Sequence, residues 1–251
     1  MSDIVFDVIN DGSLKLFYDN DIQRGMIKEN LDKIRTTIPA GTRLIAVSKT
    51  KPVEDLKEAY EAGQRLFGEN KALEMRDKHE ALPKDIEWHF IGHLQSNKVK
   101  YIAPFVSLIH SIDSTAILQT VNKEAGKNHR VIDCLLQFHI ASEETKFGLN
   151  TEEAEILLQS YAELKHVRIV GVMGMATNTE NSQLVRQEFR TLKEIFENLK
   201  QRHFADRPEF NEISMGMSGD YAIAIEEGST LVRVGSAIFG ARNYSQVNDI
   251  A

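Results

Sequence analysis

The sequence predicts an α/β fold, a single (β/α)8 barrel of the TIM type with an additional N-terminal helix. From residue 40 onward, short apolar runs alternate with longer amphipathic segments, and the alternation recurs about every 25 to 30 residues, as βα units do. A chain of 251 residues accommodates eight such units. Runs such as Leu44-Ile45-Ala46-Val47 are continuously apolar, which is typical of parallel strands covered by helices. An open doubly wound sheet would show the same pattern and stays an alternative.

The chain begins with residues 1–19, to which we assign no role, although an Asn10-Asp11-Gly12 turn signal lies among apolar residues there. A helix is predicted next, because its apolar residues recur three or four apart: Ile22, Met26, Ile27, Leu31 and Ile34. We expect this helix to pack against the barrel or to close one end of it. Residues 20–251 form one predicted domain, since no linker, repeat or charge block divides them.

The barrel strands are predicted where an apolar run is followed by turn residues. They are Leu44–Ser48, Arg65–Gly68, Glu87–Ile91, Val106–His110, Val131–Phe138, Val167–Gly171, Glu212–Met215 and Leu231–Val234. Pro52 occupies a first-turn position of the helix after the first strand, and Gly63 follows as a stop signal. The clearest helix is predicted over Asn181–Gln201, with its apolar residues on one face and Glu188 among the residues expected to be exposed to solvent.

Charge and composition exclude several classes of protein. The formal net charge is -7, which gives no overall electrostatic reason to bind nucleic acid or an anionic membrane. The single cysteine, Cys134, lies in an apolar run and cannot form an internal disulfide. No stretch approaches the roughly 18 apolar residues of a membrane span, and the acidic start lacks the cationic end of a signal peptide. We therefore expect a cytoplasmic protein.

The carboxyl ends of the strands carry the functional residues of a parallel barrel, so the polar residues there are the candidates for a site. Lys49 follows the first strand in Ser48-Lys49-Thr50-Lys51-Pro52. A lysine at the end of a buried strand is held rigidly and partly desolvated, which favours the neutral amine that forms a Schiff base. The alternative is that Lys49 and Lys51 are two solvated loop lysines.

The second and third strands end in Phe67-Gly68-Glu69-Asn70 and in Trp88-His89-Phe90-Ile91-Gly92-His93-Leu94-Gln95-Ser96-Asn97-Lys98. His89 and His93 are four residues apart, but a strand and its turn do not place such residues side by side as a helix does. A packed or hydrogen-bonded role is therefore favoured over a metal site. Gln95, Asn97 and Lys98 are expected to cap the following helix or to line the mouth of the barrel.

Two glycine-rich loops follow the last two strands, within Ser214–Asp220 and Arg233–Gly240. Glycine lets backbone N–H groups approach an anion, and barrels often bind phosphate after strands seven and eight. Each loop alone could be an ordinary βα turn. Together, opposite a strand-end lysine, they indicate pyridoxal 5'-phosphate, which needs an amine for its aldehyde and a cradle for its phosphate.

These motifs resemble the pyridoxal phosphate homeostasis protein family, which is related to the barrel domain of alanine racemases, over about residues 20–244. By resemblance, Lys49 is the Schiff-base lysine, Asn70 lines the cofactor pocket and Arg233 faces the pyridine nitrogen. The resemblance places the phosphate at four residues, of which the two serines are alternatives: Ser214, Ser218, Gly235 and Ser236.

The resemblance implies a monomer that supplies, buffers or delivers pyridoxal phosphate, with apo-enzymes that use this cofactor as possible recipients. The sequence ends eleven residues after Gly240, so we expect no β-rich second domain like that of alanine racemases. A weak amino-acid racemase is the main alternative, with Tyr221 or a histidine at the mouth as a second acid/base group. A third reading is a phosphate-binding barrel enzyme that uses Lys49 without a cofactor.

Overall fold

The computed structural model of the chain describes residues 4–8, 14–143 and 147–240, with side chains from residue 26 onward within those ranges. The strands are β1 (Ile4–Val8), β2 (Leu14–Tyr18), β3 (Arg43–Val47), β4 (Leu66–Glu69), β5 (Glu87–Phe90), β6 (Leu108–Ile112), β7 (Ile132–Phe138), β8 (Val167–Gly174), β9 (Glu212–Met217) and β10 (Leu231–Val234). The helices are α1 (Asp19–Thr37), α2 (Val53–Glu61), α3 (Ala72–Ala81), α4 (Val99–Ile102), α5 (Thr115–Lys127), α6 (Thr151–Tyr161), α7 (Ser182–His203), α8 (Tyr221–Glu226) and α9 (Ser236–Phe239).

The eight strands β3 to β10 close into a parallel barrel in chain order. The barrel closes where β10 pairs with β3, from Leu231 opposite Arg43 to Val234 opposite Ala46. This pairing confirms the predicted fold and excludes the open sheet. The predicted strands agree with the observed ones within a few residues. The largest difference is in β8, which continues past Gly171 because its ladder with β7 extends to Gly174.

The N-terminal helix α1 packs on the outside of the barrel, beside the point of closure. Ile27, Leu31 and Ile34 are buried as predicted, whereas Met26 is 53% exposed. The helix contacts α2 and α9, which follow the two strands that close the barrel. Because α9 has only four residues, α1 supplies the apolar cover that a full-length last helix would give.

The two strands β1 and β2 that precede α1 form a separate antiparallel pair. The turn predicted at Asn10-Asp11-Gly12 lies outside the described residues.

The long helix α7 has its predicted apolar face, but one of its polar positions is buried. Val185, Phe189 and Leu192 are almost fully buried, as the spacing predicts. The expectation that Glu188 faces water is wrong, because its carboxylate accepts hydrogen bonds from the backbone and hydroxyl groups of Ser142 and Thr177. Burial alone would raise the pKa of Glu188, and these bonds outweigh burial and lower it. Glu188 thereby ties together the loops that follow β7 and β8.

Apolar side chains fill the space between the strands and the helices, and a second apolar cluster occupies the barrel interior. Its buried members are Ile45, Leu108, Leu135, Val170, Met173 and Leu231. Because side chains alternate along a strand, Arg233 lies on the same face of β10 as Leu231 and two residues nearer the carboxyl end. The interior therefore becomes polar toward that end. No helix within the described part of the chain is long and apolar enough to cross a membrane.

Candidate cofactor-binding site

A cavity of about 410 Å³ opens at the carboxyl ends of the barrel strands. Its volume is within the range of small-molecule sites in proteins. Its walls come from the ends of most of the barrel strands and the loops after them, so residues far apart in sequence meet there. The lining residues that the sequence predicted as site residues are Lys49, Asn70, Ser218, Arg233, Gly235 and Ser236.

Lys49 lies on a tight turn between β3 and α2. The turn closes when the N–H of Lys51 donates to the carbonyl oxygen of Ser48 at 3.0 Å. Lys49 is half-buried and lines the cavity. Lys51 also lines it, but its ammonium donates to the carbonyl oxygen of Phe239 at 2.7 Å. The two lysines are therefore not equivalent solvated residues.

Arg233 supplies a buried positive charge to the cavity. The residue is only 4% exposed, and it donates to Ser214 Oγ at 2.5 Å and to the carbonyl oxygen of Gly174 at 3.2 Å. Burial lowers the pKa of the Arg233 guanidinium to about 10. The group therefore stays charged at neutral pH.

Behind Arg233, a chain of hydrogen bonds crosses the barrel interior. Ser214 Oγ lies 2.9 Å from His110 Nδ1, and His110 Nε2 lies 3.0 Å from His89 Nδ1. Burial lowers the pKa of His89 to about 3 and that of His110 well below its usual value, so both rings are neutral. A consistent direction is then donation from Arg233 to Ser214, from Ser214 to His110 and from His110 to His89. His89 also lines a second cavity, of about 360 Å³, at the opposite end of the barrel.

The two serines proposed for the phosphate occupy different places. Ser214 is fully buried beneath Arg233 and is not among the residues that line the cavity. Ser218 lines it, and its Oγ accepts a hydrogen bond from the N–H of Gly235 at 3.1 Å. A Cβ atom on Gly235 would lie 3.1 Å from the carbonyl oxygen of Val47, so glycine permits a close approach of this loop to the end of β3.

Asn70 and Gly92 form another part of the wall. The side-chain oxygen of Asn70 is buried without a hydrogen-bond partner, although the residue lines the cavity. A Cβ on Gly92 would lie 2.5 Å from the carbonyl oxygen of Asn70, so only glycine fits against that backbone. These features suit a bound polar ring that would satisfy Asn70. With the amine of Lys49, the guanidinium of Arg233 and the hydroxyl of Ser218, the donor set fits pyridoxal phosphate.

The other predicted polar residues are distributed around the site. His93 lines the cavity with its ring stacked on Phe147, and its Nδ1 lies 3.1 Å from Asp113 Oδ2. Gln95 and Lys98 line a neighbouring cavity of about 370 Å³. Tyr221, considered as an acid/base group, instead hydrogen-bonds through its hydroxyl to Thr37 Oγ1 at 3.0 Å. No cluster of residues suited to a metal occurs within the described ranges.

Sequence reasoning did not identify three lining residues, Gln137, Phe147 and Met175, and it included Met217 only as part of the Ser214–Asp220 loop. Each lies at or just after a strand end or in the loop beyond it, so topology could have indicated the position. Their side chains carry no distinctive chemistry, so residue type gave no signal.

Comparison with known proteins shows which broad family of barrels the chain resembles. The family model described as "Alanine racemase, N-terminal domain" matches residues 22–243. Solved structures agree with this match at the level of the fold. The covalent pyridoxal phosphate complex of alanine racemase from Bartonella henselae has a TM-score of 0.67 at 16% identity, and the alignment covers 88% of this chain and 61% of that one.

More similar proteins narrow the class. The pyridoxal phosphate homeostasis protein of Aquifex aeolicus is 42% identical over 203 residues, covering 80% of this chain and 88% of that protein. That of Escherichia coli K12 is 39% identical, covering 88% and 98%. PipY of Synechococcus elongatus, solved with pyridoxal phosphate bound, has a TM-score of 0.77 at 34% identity, covering 85% and 100%. The chain therefore belongs to the pyridoxal phosphate homeostasis protein family.

Proposed function

We propose that this protein binds pyridoxal 5'-phosphate reversibly and takes part in the intracellular supply, buffering or delivery of that cofactor. The observation that carries the proposal is the convergence of Lys49, Arg233 and the Ser218–Gly235 pair on one cavity. The names of its relatives and the cofactor-bound PipY structure support it.

Each residue of the cavity is assigned to a different part of the cofactor. Lys49 offers the amine for a reversible Schiff base with the aldehyde. Ser218 and Ser236 would hold the phosphate, Gly235 would let its loop approach the phosphate closely, and Asn70 would line the ring. Arg233 would face the ring nitrogen, and Ser214 would act on the cofactor only through its hydrogen bond with Arg233. When bound, pyridoxal phosphate supplies an electrophilic aldehyde on a ring that can accept electrons.

Arg233 also limits the reactions that the site would support. A charged guanidinium beside the ring nitrogen disfavours a proton there, which weakens the ring as an electron acceptor. The site is therefore poorly suited to reactions that need a strongly electron-accepting ring.

The binding proposal is tested by adding pyridoxal phosphate, fixing the bond with borohydride and mapping the modified peptide. We expect the label on Lys49 and none in Lys49→Ala. Lys51→Ala is the matched control, because Lys51 lies in the same turn but its ammonium is held by Phe239. A label on Lys51, or protein that stays colourless with added cofactor, would contradict the proposal.

A weak amino-acid racemase is the second candidate, and one observation favours it. His93 lines the cavity and is paired with Asp113, so it could move a proton at the mouth. Incubation of the loaded protein with single enantiomers of alanine and other amino acids separates the two functions. Sustained racemisation at an enzyme-like rate that is lost in His93→Ala would establish the enzyme.

We further propose that the protein acts as a cytoplasmic monomer and that apo-enzymes are recipients of its cofactor. Cys134 is a free, buried thiol, which is compatible with a reducing compartment. Mixing loaded protein with an apo-enzyme and a scavenger of free cofactor tests delivery. Activation despite the scavenger supports direct transfer, and loss of activation indicates simple release. The sedimentation coefficient of the loaded protein tests whether the protein is a monomer.

A further inference from the structure

The turn that carries Lys49 has a conformation that its own sequence disfavours. In the four-residue turn Ser48–Lys51, the third residue, Thr50, has a φ of +64°. A left-handed third residue is typical of a type II turn, where glycine or asparagine is preferred. Thr50 is β-branched, and such residues rarely adopt this conformation. Something outside the turn must therefore hold it.

Two side chains from α3 hold the backbone on both sides of Lys49. Glu74 Oε1 accepts the N–H of Thr50 at 2.6 Å, on the carboxyl side of the lysine. The ammonium of Lys78 donates to the carbonyl oxygen of Ser48 at 2.7 Å, on the amino side. Glu74 and Lys78 are one helical turn apart and are themselves joined at 2.7 Å.

Lys78 is the centre of this arrangement. Its side chain is 6% exposed, and its ammonium has three acceptors at 2.7 Å, namely Ser48 O, Glu69 Oε1 and Glu74 Oε1. Three acceptors match the three protons of an ammonium group. Glu69 Oε1 also accepts the hydroxyl of Ser48 at 2.6 Å. The turn is thus attached to α3 and to the end of β4 by charge-assisted bonds, of which those made by Lys78 and Glu69 to Ser48 are buried.

We propose that Glu74 and Lys78 are positioning residues that keep the Lys49 amine directed at the cavity by holding Thr50 in its left-handed conformation. This inference rests on the proposed function. Lys49 and Thr50 share a peptide group, so relaxation of Thr50 to a negative φ reorients the backbone beside the lysine. The residues proposed for the phosphate, Ser218, Gly235 and Ser236, lie on the loops after β9 and β10 and not on this turn.

The test compares two ligands that differ in one group. Pyridoxal 5'-phosphate can form the bond to Lys49, whereas pyridoxine 5'-phosphate, an alcohol, occupies the cavity without it. In Glu74→Ala, which removes the acceptor of the Thr50 N–H, we expect the affinity for pyridoxal phosphate to fall about tenfold. The affinity for pyridoxine phosphate should stay within about twofold of the unmodified protein.

Further variants separate positioning from general loosening. Glu74→Gln keeps an acceptor oxygen and should restore part of the affinity, and Glu80→Ala, on the exposed side of the same helix, should have no effect. Thr50→Gly should make the Glu74→Ala loss smaller, because glycine adopts a positive φ without strain. Thermal unfolding of each variant shows that it is folded.

Unchanged affinity for pyridoxal phosphate in Glu74→Ala would overturn the positioning role, as would an equal loss for both ligands. If Glu74→Ala weakened the binding of pyridoxal phosphate as much with Thr50→Gly as without it, the role assigned to the Thr50 conformation would be overturned. If the unmodified protein forms no bond that borohydride can fix, the proposed function fails instead, and the two failures are distinguishable.

Discussion

The contrast between Ser214 and Ser218 gives the sharpest test of the cavity. Ser214 is fully buried between Arg233 and His110, and Ser218 lies on the cavity wall beside Gly235. The same substitution, serine to alanine, should therefore affect stability at one position and phosphate binding at the other.

In Ser214→Ala, the Arg233 guanidinium loses its acceptor at 2.5 Å and His110 loses its neighbour at 2.9 Å. A hydrogen bond to a buried charged group contributes about 1.5–3 kcal/mol, so we expect the free energy of unfolding to fall by about 2 kcal/mol. For a chain of this length, that corresponds to a fall in Tm of about 4–8 °C. Urea titration and calorimetry measure the two quantities.

In Ser218→Ala, we expect stability to change by less than about 0.5 kcal/mol, because the residue is partly exposed. The affinity for pyridoxal phosphate should fall about tenfold, since a hydrogen bond to an anionic group is lost. Pyridoxal, which lacks the phosphate, is the control ligand, and its affinity should be unaffected. Equilibrium titration by visible absorbance gives both affinities.

The reverse result would refute this reasoning. If Ser214→Ala weakened binding of pyridoxal phosphate but not of pyridoxal, and left Tm unchanged, the phosphate would be held by Ser214. The hydrogen-bond chain through His110 would then have no part in holding Arg233.

Three further outcomes follow from buried groups. Burial raises the pKa of Glu69 from 4.5 to about 7, so the free energy of unfolding falls by about 3 kcal/mol as the pH rises through that range and Glu69 ionises. Glutamine cannot ionise, so the stability of Glu69→Gln relative to the unmodified protein should increase between pH 5 and pH 8. A difference in urea unfolding that does not change with pH would contradict this. Gly171→Ala should abolish stable folding, because the added Cβ would lie 1.8 Å from the carbonyl oxygen of Glu212; soluble protein with an unchanged Tm would argue against it. Burial raises the pKa of the Cys134 thiol, so Ellman's reagent should react with it only after denaturation.

The architecture was predictable because its signal is repeated along the chain. Each barrel strand is a short apolar run, and the change of period between strand and helix recurs eight times. An error of up to three residues at a strand boundary leaves the topology intact. The exposure of Met26 and the burial of Glu188 were not predictable in this way, because they depend on which neighbours a helix meets after folding.

The set of residues that meet at the cavity was predictable where residue type and topology coincide. Lys49, Arg233 and Ser218 carry distinctive chemistry at strand ends, and the barrel brings them to one cavity. The separation of Ser214 from Ser218 was not predictable from their spacing alone. Ser214 lies within β9 and its side chain alternates into the barrel interior, whereas Ser218 lies one residue beyond the strand end.

The buried chain behind Arg233 explains how a barrel interior can hold a full positive charge at the cavity. An aspartate partner would stabilise the guanidinium more strongly, but it would also cancel the charge that the cavity receives. Arg233 instead donates to two neutral oxygens, on Ser214 and Gly174, and neutral His110 and His89 continue the chain. Its charge therefore acts on whatever occupies the cavity.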